Sequence, residues 1–160
     1  MRISIFAIGK LKSGPESELM SRYLDRVSRT GPQIGLELQK HVEGTESRAS
    51  KADDRKRDEA QQLFKSMPEQ GKLIILDERG KSIDSTEFAN MLAQMRDDGE
   101  RNLTFAIGGA DGHGDEVKNR AYKTLSFGKM TWPHQFARIM LAEQLYRSCT
   151  ILSGHPYHRE

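Results

Sequence analysis

The chain has 160 residues, of which 36% are hydrophobic and 30% charged, and its net charge is +2. This length suits one domain with its own core, and the composition is too apolar for a disordered chain. The single cysteine, Cys149, excludes an internal disulfide and a cysteine-based zinc cluster, and suits a reducing compartment. We find no secretory signal and no apolar stretch of about 20 residues, so we expect a cytoplasmic protein without a membrane segment.

The small net charge is unevenly distributed. Residues 1–112 carry 18 basic and 19 acidic side chains, whereas residues 113–160 carry 7 and 4, together with four of the five histidines. A protein that binds nucleic acid by electrostatics alone usually has a larger positive charge. If the partner is an anion, the last third of the chain is the region expected to meet it.

The first part of the chain predicts two strands and two helices. The apolar run at residues 3–8 suits a buried strand, and Pro15 opens a helix that ends before Gly31. Alternating apolar residues over 34–38 predict a second strand. The next segment, residues 43–59, is dense in charge of both signs and poor in apolar residues. We interpret it as a solvated loop that leads into a helix stopped at Pro68, the alternative being a mobile arm that contacts RNA.

The second part continues the alternation. Residues 72–77 are the clearest buried strand, and Asp84 with Glu87 three residues later predicts a capped helix start. The remaining predicted elements are a buried strand at 103–107, a short helix at 115–122, a short strand or turn at 125–127 and a long helix from 134 to about 152. Strands that alternate with helices in this way predict a single α/β domain with a parallel sheet covered by helices on both faces.

Several common α/β enzyme signatures are absent from the sequence. It contains no G-x-x-x-x-G-K-[ST], no G-x-G-x-x-G after the first strand and no G-x-S-x-G. These absences argue against a phosphate-binding P-loop, a dinucleotide site and a serine hydrolase.

Three segments follow predicted strands at the sheet edge where open α/β sheets bind ligands. They are residues 76–80, 107–112 and 125–134. In the second segment, Gly108 and Gly109 would let a ligand approach the main chain, although a plain turn with positive φ needs the same residues. In the third, apolar and small polar residues alternate, which suits either a small-molecule pocket or a buried edge strand before a helix. These residues are Phe127, Gly128, Lys129, Met130, Thr131 and Trp132.

The remaining candidate groups lie near the C-terminus. Cys149 is at helical spacing from apolar neighbours and is interpreted as a buried small residue, and Glu143 with Arg147 as an i,i+4 ion pair. His155 and His158 lack further ligands nearby, so no metal site is predicted. The tail also contains a phenol and a guanidinium, groups that stack on bases, bind phosphate or transfer protons. The alternative is an ordinary tail held by Pro156.

Four ordered motifs resemble one known family. They are I-G-G-x-x-G at 107–112, L-S-F-x-K-M-T-x-P-H-Q at 125–135, L-x-E-Q-x-Y-R at 141–147 and Y-H-[RK] at 157–159. Together with A-I-G-K-L-K at 7–12 and L-D-x-x-G-K at 76–81, they resemble the ribosomal large-subunit pseudouridine N3-methyltransferases of the SPOUT superfamily. The resemblance covers essentially the whole chain.

The resemblance implies a trefoil-knotted α/β domain over residues 1–160, a homodimer, and S-adenosylmethionine as methyl donor. The implied substrate is a pseudouridine of 23S ribosomal RNA, methylated at N3 on assembled ribosomes. By matching positions, Leu76, Gly108 and residues 127–132 should line the cofactor pocket.

The resemblance also suggests roles for the tail, residues 153–160, in the active site. His155 or His158 is the candidate base or proton relay, and Tyr157 and Arg159 are candidates for gripping RNA. Arg138, on the last helix, is a further candidate for RNA contact. The rival hypotheses are a ribosome-binding factor that retains the fold without activity, and a hydrolase or nucleotide-binding enzyme.

Overall fold

A computed structural model of the chain, which describes residues 1–158, contains five strands and five α-helices in alternation. The strands are β1 (Arg2–Ile8), β2 (Glu37–Gly44), β3 (Lys72–Ser82), β4 (Asn102–Ile107) and β5 (Lys123–Ser126). The helices are α1 (Pro15–Thr30), α2 (Ala52–Ser66), α3 (Ser85–Asp97), α4 (Asp115–Arg120) and α5 (His134–Ser153). None of the helices within this range is long and apolar enough to cross a lipid bilayer.

The strands form one parallel sheet in the order β2-β1-β4-β3-β5. Alternate residues of β1 point to opposite faces of the sheet: Ile5 packs in one apolar cluster and Phe6 in the other. Helices α1, α3 and α5 pack in the first cluster, and α2 and α4 pack in the second. Both faces are therefore covered, which confirms the predicted fold class, and all strand carboxyl ends lie along one edge.

The helix starts show which local signals were sufficient. At α3, the Glu87 backbone N–H donates to Asp84 Oδ1 at 2.7 Å, and the Asp84 N–H donates to Glu87 Oε2 at 3.1 Å. This is the reciprocal capping box that the sequence predicts. Helix α1 begins at Pro15, as expected, because its fixed φ suits the first helical position.

Three predicted boundaries are wrong, and one of them is the end of the third strand, which continues to Ser82 and does not stop at residue 77. The second strand begins at Glu37 and not at residue 34, because Gly31–Ile34 forms a 3₁₀ turn that Gly35 ends with a left-handed φ of 71°. Helix α2 begins at Ala52, so half of the charged segment is helical and not loop. Its first two turns lack an apolar stripe because the residues that they bury are polar, as Glu59 shows.

Strand β3 pairs with β5 at two separate places. Leu125 of β5 pairs with both Leu76 and Lys81 of β3, so the residues between these two positions arch around it. At the top of the arch, an ideal Cβ on Gly80 would lie 2.5 Å from the carbonyl carbon of Leu125. Only glycine permits this approach of two backbones, and the arch forms one wall of the site described next.

Candidate active site

The three segments that follow β3, β4 and β5 meet around one cleft of about 370 Å³. Seven of the eight residues expected around a cofactor line it: Leu76, Gly108, Phe127, Gly128, Met130, Thr131 and Trp132. Lys129 is exposed and is not part of the lining. The cleft lies at the carboxyl edge of the parallel sheet, where open α/β folds bind ligands.

The cleft combines apolar walls with polar main chain and a few charges. Leu76, Ile107, Leu125 and Phe127 supply apolar surface on the sheet side, whereas the main chain of residues 108–112 supplies N–H and C=O groups. The charged residues at its rim are Lys56, Asp77, Glu78, Arg79, Asp111 and Lys118. An apolar pocket with a few convergent polar groups is the usual form of a small-molecule site.

Side-chain contacts hold the walls in place. The Thr131 hydroxyl donates to Glu78 Oε2 at 3.4 Å, which links the segment after β5 to the arch of β3. Asp77 accepts a hydrogen bond from the Arg79 backbone N–H at 2.9 Å and lies 3.6 Å from Lys118 Nζ. At the glycine-rich loop, the Arg55 guanidinium beside Asp111 lowers the pKa of that carboxyl below its ordinary value, so Asp111 is ionised at neutral pH.

His113 lies directly behind the glycine-rich loop and is 7% exposed. An ideal Cβ on Gly108 would lie 3.3 Å from its Cε1, and its Nε2 is 3.3 Å from the Ala106 carbonyl oxygen. Burial lowers its pKa, assisted by the positive charge of Lys118, while the Ala106 carbonyl and Asp77 act in the opposite direction. The ring is therefore neutral in the folded protein at neutral pH.

This neutral histidine predicts a loss of stability in mild acid. The unfolded chain takes up a proton near the ordinary pKa of 6.5, whereas the folded chain takes it up at lower pH. Stability is therefore complete above pH 6.5 and falls below it, by up to about 1.4 kcal/mol per pH unit for this group. Urea unfolding at pH 7.5 and 5.5 measures the change, and His113→Gln should reduce it. An equal pH dependence in the variant would show that other groups cause it.

The tail folds back onto the middle of α5. The Tyr157 hydroxyl donates to Glu143 Oε1 at 3.2 Å, and its ring meets Tyr146 edge-on with centroids 4.8 Å apart. Arg147 pairs with Glu143 at 2.5 Å, as expected from their spacing, and its Nη1 lies 3.3 Å from His158 Nδ1. Burial raises the pKa of Tyr157, so its phenol stays protonated.

Among residues 153–158, none lines the cleft. The tail instead contacts Glu143 of α5, which lines a second cavity of about 470 Å³ among α1, α3 and α5. The two cavities share Leu76, Leu125, Ser126 and Phe127. Arg159 lies outside the described residues.

Arg138 is placed differently from the expectation of an RNA contact. It is 2% exposed, and its Nη2 donates to the carbonyl oxygens of Ile8 and Gly9 at 2.5 and 2.8 Å. Its Nη1 pairs with Glu43 Oε1 at 3.0 Å. The guanidinium therefore ties α5 to the end of β1 and has no surface to offer an RNA.

Two further findings concern the cysteine and possible metal ligands. Cys149 is 1% exposed, which confirms that it is a buried small residue. Across residues 1–158, no three His, Cys, Asp or Glu side chains come together in a way that would hold a metal ion.

Lys56 lines the cleft but was not predicted from the sequence, because it belongs to the charged segment that was interpreted as loop.

Comparison with known proteins places the chain in a family. A family model described as "Predicted SPOUT methyltransferase" matches residues 1–158. A protein of Rhizobium leguminosarum bv. trifolii named "Ribosomal RNA large subunit methyltransferase H" is 59% identical over 159 residues, 99% of each chain. Proteins of the same name from Sinorhizobium medicae and Agrobacterium fabrum are 58% and 56% identical, again over 99% of each chain.

One solved structure is a weaker match. The SpoU methyltransferase AviRb from Streptomyces viridochromogenes, in complex with AdoMet, is 11% identical with a TM-score of 0.41, over 90% of this chain and 56% of that one. The assignment rests on the family model and the full-length relatives. On these grounds, the chain belongs to the SPOUT methyltransferase family.

Proposed function

We propose that the protein transfers a methyl group from S-adenosylmethionine to N3 of a pseudouridine in 23S ribosomal RNA, on the assembled ribosome. The observation that carries the proposal is the cleft of about 370 Å³, around which three separate strand ends bring seven of the expected residues together. Support for a ribosomal RNA substrate comes from the relatives that share 56–59% of its residues and are named for that activity.

The lining of the cleft fits S-adenosylmethionine. The apolar surfaces of Leu76, Leu125 and Phe127 suit an adenine ring, whose polar edge can pair with the main chain of residues 108–112. Asp77 and Glu78 at the rim suit ribose hydroxyls and the positive charges of the methionine part. When bound, the cofactor supplies a methyl group already activated by its sulfonium. The protein therefore has to align the target nitrogen and remove its proton.

Alignment is the larger of these two tasks. Holding two reactants in the correct geometry supplies on the order of 7–11 kcal/mol of barrier lowering. The walls of the cleft contact one another through the Thr131–Glu78 hydrogen bond and through the close approach of Gly80 to Leu125.

We assign removal of the N3 proton to the tail histidines, His155 and His158. The Nδ1 atoms of both accept hydrogen bonds, from the Tyr157 backbone N–H at 3.2 Å and from Arg147 at 3.3 Å. Because arginine and backbone N–H groups only donate, a neutral ring carries its own hydrogen on Nε2. The proton acceptor is therefore Nδ1, and the contact on that atom must open when the RNA binds.

Recognition of RNA is assigned to the tail and the surface beside it. Tyr157 offers its ring, since its hydroxyl is already committed to Glu143, and Arg159 completes the assignment. Arg138 is left out because it is buried. The weak net charge of +2 is consistent with docking on a preformed ribosomal surface, which positions the enzyme without a long basic stripe.

We further propose that this cytoplasmic enzyme is a homodimer and that its chain is knotted. Support for the dimer comes from exposed apolar residues on α1, on α5 and in the segment before α5: Leu19, Met130, Trp132 and Phe136 are 36%, 71%, 42% and 47% exposed. Support for the knot comes from the β3 arch, which encloses Leu125 immediately before the chain enters the final helix.

A charge placed on the apolar surface should dissociate the dimer. Phe136→Asp puts a carboxylate at the centre of the proposed interface, where it would lose its hydration without a partner. We expect a monomer of about 18 kDa by light scattering for the variant and twice that mass for the wild type. Arg57→Asp, a charge change on α2, which packs on the opposite face of the sheet from α1 and α5, is the control. A variant that keeps the wild-type mass would contradict the interface.

The proposed function is tested by mass spectrometry of ribosomal RNA. Ribosomes from a strain that lacks the modification are incubated with the protein and isotope-labelled S-adenosylmethionine, and the RNA is digested to nucleosides. We expect label on pseudouridine, at N3, and none when protein-free 23S RNA replaces the ribosomes. Absence of label on pseudouridine would overturn the proposed reaction and favour a ribosome-binding factor without activity.

A further inference from the structure

Helix α2 packs behind the glycine-rich loop, residues 108–112, that forms one wall of the cleft. Lys56 lines the cleft, Arg55 bonds to Asp111 of the loop, and Glu59 lies against Gly109. These residues belong to the charged segment, which was expected to be mainly a solvated loop.

Glu59 is a buried carboxylate, 9% exposed, seated against the loop. Its Oε1 accepts a hydrogen bond from the Ser47 backbone N–H at 3.3 Å. Burial raises the pKa of this carboxyl above its ordinary value, while the nearby backbone N–H groups of Ser47 and Gly109 act in the opposite direction. Burying a carboxyl group is unfavourable unless donors satisfy it, so the Ser47 N–H is held against Glu59. The other side of the carboxyl group packs directly against Gly109.

The position of the Glu59 carboxyl group explains why residue 109 is glycine. Neither Gly108 nor Gly109 has a positive φ, so the turn expected from the Gly-Gly pair is not the reason. An ideal Cβ on Gly109 would instead lie 2.8 Å from Glu59 Oε2 and 3.1 Å from Ile8 Cγ2. The missing side chain makes room for the carboxylate of α2.

Arg55 joins three parts of the chain at the same place. Its Nε and Nη2 donate to the two carboxylate oxygens of Asp111 at 2.6 and 3.0 Å. Its Nη1 donates to the carbonyl oxygens of Ala49 and Ser50, both at 3.0 Å. The loop thus contacts α2 at two points two residues apart: Gly109 packs against Glu59, and Asp111 is bound by Arg55.

We propose that Glu59 and Arg55 are positioning residues for cofactor binding, which fix the main chain of residues 108–112 in the shape that the ligand meets. The inference rests on the proposed function, since it takes S-adenosylmethionine as the ligand of this cleft. A loop that is ordered before binding loses less conformational entropy on binding, so removing either support weakens affinity without removing any ligand contact.

Calorimetric titration with S-adenosylmethionine tests the proposal on Glu59→Gln and Arg55→Ala. We expect the dissociation constant to rise about tenfold in each, because Glu59→Gln weakens and Arg55→Ala removes contacts that hold the loop. Asp53→Asn and Arg57→Ala are the matched controls. Asp53 and Arg57 are exposed residues of the same helix, and Arg57 bonds to Asp54 on that helix. Affinities of the controls should stay within about twofold of wild type.

Two further measurements separate positioning from general structural damage. Glu59→Gln removes a buried charge of the same shape, so its urea midpoint should not fall, while amide hydrogen exchange of residues 107–114 should become faster. In the methylation assay, the KM for S-adenosylmethionine should rise about tenfold with kcat unchanged at saturation, because the supports act before chemistry.

The outcomes distinguish the two proposals. A wild-type protein that does not bind S-adenosylmethionine would overturn the proposed function. A wild type that binds, together with affinities of Glu59→Gln and Arg55→Ala within twofold of it, would overturn only the positioning role. A loss of affinity that follows a loss of stability across all four variants would also overturn it.

Discussion

Replacing His158 by alanine should reduce the rate of methyl transfer by about 100-fold or more, because a positioned acid–base group typically contributes that much. The affinity for S-adenosylmethionine should stay within about twofold of wild type, since His158 does not line the cleft. Single-turnover methylation of ribosomes measures the first quantity and calorimetric titration the second. This separation is expected because none of residues 153–158 lines the cleft of its own chain.

Companion variants locate the effect within the tail. His155→Ala tests the other tail histidine: if His158 is the proton acceptor, the rate of His155→Ala should remain within a few-fold of wild type. Tyr157→Phe keeps the ring against Tyr146 and removes only the hydroxyl bond to Glu143, so its rate should remain within a few-fold of wild type. Deletion of residues 155–160 should abolish methylation with cofactor binding intact. An unchanged rate in both histidine variants and in the deletion would disprove the role of the tail.

The order of the elements could be predicted because each has a strong local signal. Continuous apolar runs mark β1, β3 and β4, the Asp84–Glu87 capping box marks α3, and Pro15 marks α1. Two element starts could not be predicted from apolar patterns. Strand β2 starts late because a 3₁₀ turn that ends at Gly35 precedes it. Helix α2 starts at Ala52 without an apolar stripe, and its Arg55 contacts Asp111 in a loop far away along the chain.

The site residues divide in the same way, into those that local signals could place and those that only the fold places. Residues that follow strands could be placed because parallel strands end at one edge, and seven of the eight expected residues surround the cleft. Lys56 and Glu59 could not, since their neighbours in space are about 50 residues away along the chain. Arg138 shows the opposite failure: an arginine reads as exposed from its chemistry, and only the fold reveals that three acceptors surround it.

The distribution of charge also changes its meaning with the structure. The excess positive charge of residues 113–160 includes Arg138 and Arg147, and both are used inside the protein. Fewer positive charges are therefore free for RNA than the sequence suggests. A ribosome-docking enzyme that uses shape and a few tail groups is consistent with this.

Replacing Arg138 by alanine should lower the free energy of unfolding by about 3 kcal/mol, the low end of the range for removing one partner of a buried ion pair. The low end applies because Glu43 keeps part of its hydration, with 27% of its side chain exposed. The carbonyl oxygens of Ile8 and Gly9 lose their shared donor and, in a cavity, are unsatisfied. Urea unfolding followed by circular dichroism measures the difference.

Three comparisons make this expectation specific. Arg57→Ala removes an exposed arginine paired with Asp54 on its own helix, and should change stability by no more than about 0.5 kcal/mol. Glu43→Gln keeps an acceptor for Arg138 and for the Leu11 backbone N–H, so its loss should be smaller than that of Arg138→Ala. Arg138→Lys keeps the charge but cannot reach both carbonyls and Glu43 with one flat group. Its loss of stability should therefore lie between those of Glu43→Gln and Arg138→Ala. If Arg138→Ala were as stable as Arg57→Ala, the guanidinium would not be the group that fastens α5 to β1, and the orientation of the helix that carries the tail would have to be set by apolar packing alone.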